Sequence, residues 1–487
     1  MAPRIRLVYS TIAMYASILV RVGTGLAFTF ILARRLPLED FAAFGVLVAL
    51  SLFYGQLASI WSFWAARAAG RRMPDAAERV SSGILGVALL ACAGFPVLAA
   101  ASIVEYRLLG WDPLTLMAGY PYLAVMTLQY YLRDVVTAVA PEVFAKARIA
   151  SELARLSAAS LLVWTLRLGY TGALLSVIAA SSTAALIMAS RLAREGLLSK
   201  KPSPRIALEM ARYWRVPLPQ SLADSSPQLV RPVASWASGS SLVVAYLNVA
   251  LTGQASLVQA ALSTSLPLYG RLLSGGERRD ARVSLALYML FAGTFSAALL
   301  ASSRSLARFY NPDYAGAWLA LDAVVAYGLA LGVVSIYRSV ILALDTSDST
   351  PHSTPSRLMS WVTRSQLSAA AAAYTIGAPL AYLLRGEPSL AAAAIPGALA
   401  ASYTLLAVSL HSRVPGEGRL QPLDLAALST GLGLAAALGY LHSGAGLWDV
   451  AFSALAGAIV YLTVVLALVA DARVMAVRIA RRLLGLS

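Results

Sequence analysis

The chain has 487 residues, of which 59% are hydrophobic and only 13% charged, a balance too apolar for a protein dissolved in water. Apolar runs of about 20 residues, the length that spans a bilayer core, recur from end to end, so an all-α polytopic membrane protein is expected. Thirty-nine Lys and Arg against 23 Asp and Glu give a net charge of +16, which fits either nucleic-acid binding or the cationic excess of cytoplasmic membrane loops.

Taken in chain order, the apolar stretches predict fourteen transmembrane helices. These lie near 10–33, 41–62, 81–104, 114–134, 149–168, 170–190, 214–234, 241–266, 283–303, 317–342, 366–384, 389–411, 424–442 and 448–470. The basic start, Met1 to Arg6, resembles the leading end of a signal peptide. The apolar run behind it is too long for one and reads as a retained first helix. Lys and Arg number 28 in the two tails and every second connection, against 8 in the other connections. By the positive-inside rule both termini are expected on the cytoplasmic side. The nine tryptophans fall at or near helix ends, where an indole keeps its ring buried and its N–H wet. The basic excess therefore marks a membrane side. The longest basic connection, 191–213, is too short for a nucleic-acid-binding domain, and no nucleic-acid partner is expected.

The single cysteine, Cys92, lies in an apolar run and reads as packing, with no internal disulfide. His352, His411 and His442 show no metal-ligand spacing, so neither a metal nor a cofactor is expected. Gly45–Ser51 and Tyr246–Thr252 form a faint repeat at an offset of 201 residues. With the basic connection between them, it suggests a six-helix bundle over 1–193, a loop over 194–213, a second six-helix bundle over 214–411, and a helix pair with an amphipathic tail over 412–487. Bundles six helices apart return to the same membrane side, so they would be parallel repeats about an axis along the membrane normal, with transport expected at their interface. The tail sets Val474, Val477, Ile479 and Leu483 among Arg473, Arg478, Arg481 and Arg482. It reads equally as an inner-surface helix or a solvated topology signal.

Polar groups inside the spans point to a cavity. In helix one, Ser10, Ser17, Arg21 and Thr24 share a face. A guanidinium in mid-membrane costs about 2.5 to 3.5 kcal/mol on insertion scales, so Arg21 should meet water, an acid or an anionic ligand. Helix seven presents Ser221, Asp224, Ser225, Gln228, Arg231 and Ser235 at intervals of three or four, while Pro217, Pro219, Pro227 and Pro232 should bend or break it. In helix eight, Asn248, Thr252, Ser256 and Gln259 line one side; such uncharged stripes are interhelical glue first and ligand contacts second. Glu152 and Arg155 read as a local ion pair, and Asp322 and Asp449 as interfacial acids. Tyr120, Tyr122, Tyr130 and Tyr131 can stack on sugars, but such tyrosines are more often packing or interface residues. Glu105 and Asp112 lack a divalent-metal spacing and read as solvent-facing.

The segment from Ile31 to Gly45, with Ala33-Arg34-Arg35, Leu36, Glu39-Asp40 and Phe44-Gly45, resembles the first-loop signature of polysaccharide flippases. Arg215-Val-Pro-Leu-Pro219 with Asp224, then Val244-Ala-Tyr246, and Phe309-Tyr-Asn-Pro-Asp-Tyr314 resemble further stretches of that family in order. Ala245, where a Gly is common, and the doubled Arg depart from it. The family is the oligosaccharide and polysaccharide branch of the multidrug/oligosaccharidyl-lipid/polysaccharide exporter superfamily. The resemblance implies a plasma-membrane transporter that flips isoprenoid-pyrophosphate-linked glycan, and is no enzyme. It would work among membrane lipids, with a proton or sodium as possible coupling ion and glycan-assembly enzymes as possible partners. On this reading Arg21 and Arg231, with Ser17, Thr24, Gln228 and Asn248, contact substrate, and Asp224, Pro227 and Pro232 serve ion coupling or gating. An ion-coupled multidrug antiporter of the same superfamily is the first alternative. A membrane glycosyltransferase or polymerase is the second, and the short outer connections disfavour it. No phosphate-binding Gly loop suggests ATP-driven pumping.

Overall fold

The computed structural model describes residues 23–198, 200–215, 217–252, 279–343, 357–414, 416–442 and 444–483, with Val20, Ser265, Leu268 and Leu272. Among the described residues the chain is helical and has no strand, as an all-α membrane protein requires. Among the described residues, eight helical stretches are long and apolar enough to cross a membrane by length and composition. The chain divides into two compact units, Met1–Asn248 and Val249–Ser487.

In the first unit α1 covers 23–35 and leads through Pro37 into α2 (Leu38–Gly55). A 3-10 turn at Gln56–Ala58 separates α2 from α3 (Ser59–Gly70). Gly55 precedes that turn because the ring of Tyr130 lies where a β-carbon would sit, 2.6 Å away. Then come α4 (Ala76–Leu109), α5 (Pro113–Met117), α6 (Tyr120–Val139), α7 (Pro141–Ala159) and α8 (Gly169–Arg194). A π-helical stretch, Ser160–Thr165, extends α7. The basic connection holds a short helix, α9 (Pro204–Arg212), which the apolar pattern missed. Helix seven is broken, as its prolines require: α10 (Pro217–Ser225), a 3-10 turn at Ser226–Leu229 and α11 (Val230–Ser238). Pro227 sits in that turn. Pro232 is in the first turn of α11, where its missing N–H would have no helical acceptor. A turn at the left-handed Gly239 leads to α12 (Ser241–Thr252).

Side-chain contacts sort the connections of this unit onto two ends. At one end Trp61 Nε1 donates to the Ala207 carbonyl at 3.0 Å, and the Ser203 amide donates to Ser82 Oγ at 2.9 Å. At the other, Trp111 Nε1 meets Ser241 Oγ at 3.2 Å, and Ser235 and Trp236 bind Glu105. Ser82 and Glu105 both lie on α4, about 34 Å apart at 1.5 Å per residue, close to a hydrocarbon thickness of about 30 Å. The grouping of connections agrees with the alternation read from the charges. Several helices overrun their expected bounds, α4 and α7 most clearly, because a hydropathy window stops where a helix leaves hydrocarbon while its hydrogen bonds continue.

The exposed side of α4 carries Leu89, Phe95, Val97 and Ile103. Such apolar exteriors belong against lipid. Cys92, expected in packing, is exposed on this helix instead.

The second unit contains α13 (Arg279–Tyr288), a π-helical Met289–Gly293, α14 (Thr294–Tyr310), α15 (Trp318–Ala343), α16 (Arg357–Leu383), α17 (Pro388–His411), α18 (Pro422–Leu441), α19 (Leu447–Leu468) and α20 (Ala470–Leu483). The terminal pair packs on α14 through glycines. A β-carbon at Gly439 would lie 2.5 Å from the Leu300 carbonyl oxygen, and one at Gly457 2.7 Å from that of Ala297. Asp424 and Asp449 reach back to the amides of Gln421 and Gly446 at the starts of α18 and α19. Arg282 joins three segments of this unit: its guanidinium donates to both oxygens of Asp424, to Asp471 at 2.7 Å, and to the Arg419 carbonyl. Arg473 donates to the carbonyls of Leu466 and Ala467, closing the end of α19, while Val474 and Val477 stay exposed on the tail helix.

Because backbone atoms face Gly439, Gly439→Ala should lower the stability of the protein by about 1–3 kcal/mol. Gly433→Ala in the same helix, where no atom lies within 4 Å, should not. Thermal melts in one detergent compare the two.

Candidate functional site

Several of the polar residues singled out by the sequence meet inside the first unit, along α6 and the broken helix seven. On α6, Tyr122, Met126, Gln129 and Arg133 follow helical spacing on one face. Gln220, Asp224, Gln228 and Arg231 follow similar spacing on helix seven. α10 packs on α3 and on the Gln56–Ala58 turn, and the Ser226–Leu229 turn and α11 pack on α2. The turn in helix two thus receives α10, and the break in helix seven lies against α2.

At one end of this column, Arg133 donates to Asp134 at 2.9 Å and lies 4.3 Å from the centre of the Tyr130 ring. Ser62 Oγ donates to the other oxygen of Asp134 at 2.5 Å. Asp224 accepts from Gln220 Nε2 at 2.7 Å and is close enough to act on Arg133 electrostatically. Arg133 is surrounded by protein, yet a third of its side chain remains accessible to solvent.

Nearer the opposite end, Arg231 also lies deep, half-buried beside Tyr122, and its Nε makes no hydrogen bond. Among the described residues no carboxylate pairs with it. The eleven helical rises of α6 from Tyr122 to Arg133 span about 16 Å, so the polar column crosses about half the hydrocarbon thickness. Pairing is concentrated at one end of the column and a lone guanidinium stands at the other.

The remaining expected site residues are placed as follows. Arg21 and Ser17 lie outside the described residues. Thr24 is buried and donates to Glu152 Oε2 at 3.1 Å and to the Val20 carbonyl at 2.8 Å. Glu152 pairs with Arg155, as expected, and Arg155 covers the Phe28 ring. Asn248 is buried and donates to the Phe41 carbonyl at 2.7 Å, its amide filling the space over Gly45. It therefore joins the two copies of the faint repeat. Gln228 is half-buried in the turn that holds Pro227, and Pro227 and Pro232 are buried. Of the four tyrosines, Tyr122 and Tyr130 reach the column. Tyr131 is buried and donates to the Val80 carbonyl, and Tyr120 packs edge-on against Phe95.

Two acids near the outer end differ from each other. Asp112, expected to face solvent, caps α5 by accepting from the Leu114 amide at 3.1 Å. Glu105 is fully buried, which overturns its solvent-facing reading. Its place at the end of the longest apolar helix is the signal that could have found it. Arg133 and Asp134, at the end of the predicted span 114–134, are further site residues that the sequence does not single out. No group of acidic, His and Cys residues able to hold a metal occurs among the described residues.

A buried cation without an acid lowers stability, and replacing it with an apolar residue of similar length removes that cost. Arg231→Met should therefore leave the melting temperature unchanged or raise it. A clear fall would reveal an acid that holds this guanidinium in the resting protein.

No family model matches the chain, and no curated protein matches it. Solved structures do. A lipid II flippase, MurJ, in an inward closed conformation has a TM-score of 0.68 at 13% identity over 94% of this chain and 98% of that one. An inward-facing multidrug resistance MATE family transporter of the MOP superfamily has a TM-score of 0.58 at 13% identity, covering 84% and 98%. A MOP superfamily transporter from Pyrococcus furiosus, described by a reversed polarity of its binding pocket, has a TM-score of 0.57 at 14% identity, covering 85% and 96%. The chain has the fold of MOP superfamily transporters, the superfamily that its sequence motifs resemble.

Proposed function

We propose that this chain is a flippase that moves an isoprenoid-pyrophosphate-linked oligosaccharide or polysaccharide precursor from the inner to the outer face of the plasma membrane by alternating access. The observation that carries the reading is Arg231, a deep guanidinium in an accessible polar column with no carboxylate paired to it among the described residues. A pyrophosphate offers the planar, bidentate acceptors that a guanidinium fork matches. A lipophilic cation would be repelled at the same place. The Pyrococcus transporter is described by a reversed pocket polarity that suggests a different function, which supports weighing the sign of the charge here. The similar lipid II flippase supports a lipid-linked cargo.

On this reading Arg21, Ser17 and Thr24 of helix one, with Gln228 and Asn248, complete the contacts to the head group. Asp224, tied to Gln220 and near Arg133, is the candidate for ion coupling, by proton or sodium. The turn around Pro227 and Pro232 lets the outer segment of helix seven move against the inner one. Both termini are cytoplasmic, and glycan-assembly enzymes on that side supply the substrate. The similar MATE transporters support a second reading, ion-coupled multidrug antiport.

Reconstituted vesicles loaded with lipid-linked glycan separate the two. Arg231→Met should slow translocation at least about tenfold, equivalent to about 1.4 kcal/mol, while Arg231→Lys should retain part of the rate. Wild-type translocation by a folded Arg231→Met protein would remove the anion-binding assignment. Uptake of a lipophilic cation on an imposed ion gradient, with no effect on the glycan, would establish the second reading instead.

A further inference from the structure

We infer that Glu105 is a proton-binding site that latches the outer end of helix seven, and that loss of its proton releases α11 from α4. Glu105 ends the apolar run of α4 and is fully buried. Its Oε2 accepts from Ser235 Oγ at 2.7 Å and its Oε1 from Trp236 Nε1 at 3.0 Å. Both donors are neutral, and both belong to α11.

The charged and titratable groups of the surrounding elements leave this carboxyl without a counter-ion. On α4 itself, Tyr106 and Arg107 point to the exposed side. On α11, Arg231 stands one turn before Ser235, with Tyr122 as its electrostatic neighbour. Asp112 is turned to the start of α5, and on α6 Tyr120 packs against Phe95. Among the described residues none of these pairs with Glu105, and Ser235 and Trp236 are the groups that act on it.

A carboxylate removed from water and held by two neutral donors is costly to keep ionised. The acid form fits the same contacts without that cost. Trp236, a donor only, continues to donate to Oε1; the Ser235 hydroxyl both donates and accepts, so it can turn and accept from Oε2–H. When the proton leaves to the water at this end of the unit, the carboxylate gains hydration only if α11 moves off α4. The break at Ser226–Leu229 permits that movement without dragging α10, and Arg231 travels with α11. The latch goes beyond the choice of cargo, because neither contact involves a transported molecule.

Spin labels at Leu108→Cys and Ser240→Cys, in the full chain with Cys92→Ala and reconstituted in nanodiscs, report the separation of the two outer ends. Raising the pH from about 5 to about 9, a range in which a buried carboxyl can titrate, should lengthen the distance by several ångströms. Glu105→Gln keeps the shape of the acid form and should hold the short distance throughout. Ser235→Ala removes the acceptor for Oε2–H and should open at lower pH than the parent. A parent distance that does not change with pH, or a Glu105→Gln protein that opens as the parent does, overturns the latch. Neither result depends on glycan translocation, so failure here is distinct from failure of the flippase reading.

Discussion

A guanidinium cannot rest in hydrocarbon without water, an acid or an anionic ligand beside it, and the arrangement of the first unit follows from that constraint at Arg231. The cost on insertion scales is about 2.5 to 3.5 kcal/mol at the helix centre, a large part of the marginal stability of any protein. Arg133 meets the same constraint with Asp134, Ser62 and the Tyr130 ring. Arg231 has Tyr122 but no described acid, so on the proposed reading water or an anionic ligand makes its position tolerable. A site that holds its charge unpaired at rest is ready for a ligand of opposite sign.

The backbone is broken where the column needs room. Helix two kinks beside Gly55, and helix seven is interrupted at Pro227. Broken helices are tolerated inside a membrane protein only where other groups or water receive the freed amides and carbonyls. The helix-seven turn packs on α2, and the helix-two turn receives α10, so each break has a helix of the other pair beside it. By contrast, the helices that bear lipid-facing side chains are long and nearly uninterrupted, α4 being the clearest. Tight contacts are instead made through glycine, as where Gly439 and Gly457 let the terminal helices of the second unit approach α14.

Much of this was legible in the sequence because bilayer thickness acts on length, and length and apolarity are written residue by residue. The helical class, the alternation of basic connections and the break at the helix-seven prolines all came from such one-dimensional signals. Asp224 and Arg231 were found because polar residues at helical spacing are conspicuous in an apolar span. Other features depend on pairs far apart in the chain. That Asn248 binds the Phe41 carbonyl above Gly45, rather than lining a hollow, follows from how closely two helices approach. Glu105 looked like a loop residue because its donors, Ser235 and Trp236, are 130 and 131 positions away. Arg133 and Asp134 were hidden because a sequence cannot say where a helix that overruns the hydrocarbon turns inward.

The central claim is that water reaches Arg231 within the membrane span. With Cys92, the only cysteine, replaced by Ala, a cysteine at position 231 can be treated in sealed vesicles with a negatively charged thiol reagent that does not cross lipid. The account predicts modification of Arg231→Cys and none of Phe95→Cys on the lipid-facing side of α4. If Arg231→Cys is as inert as Phe95→Cys, no aqueous column exists and the guanidinium is buried in dry packing.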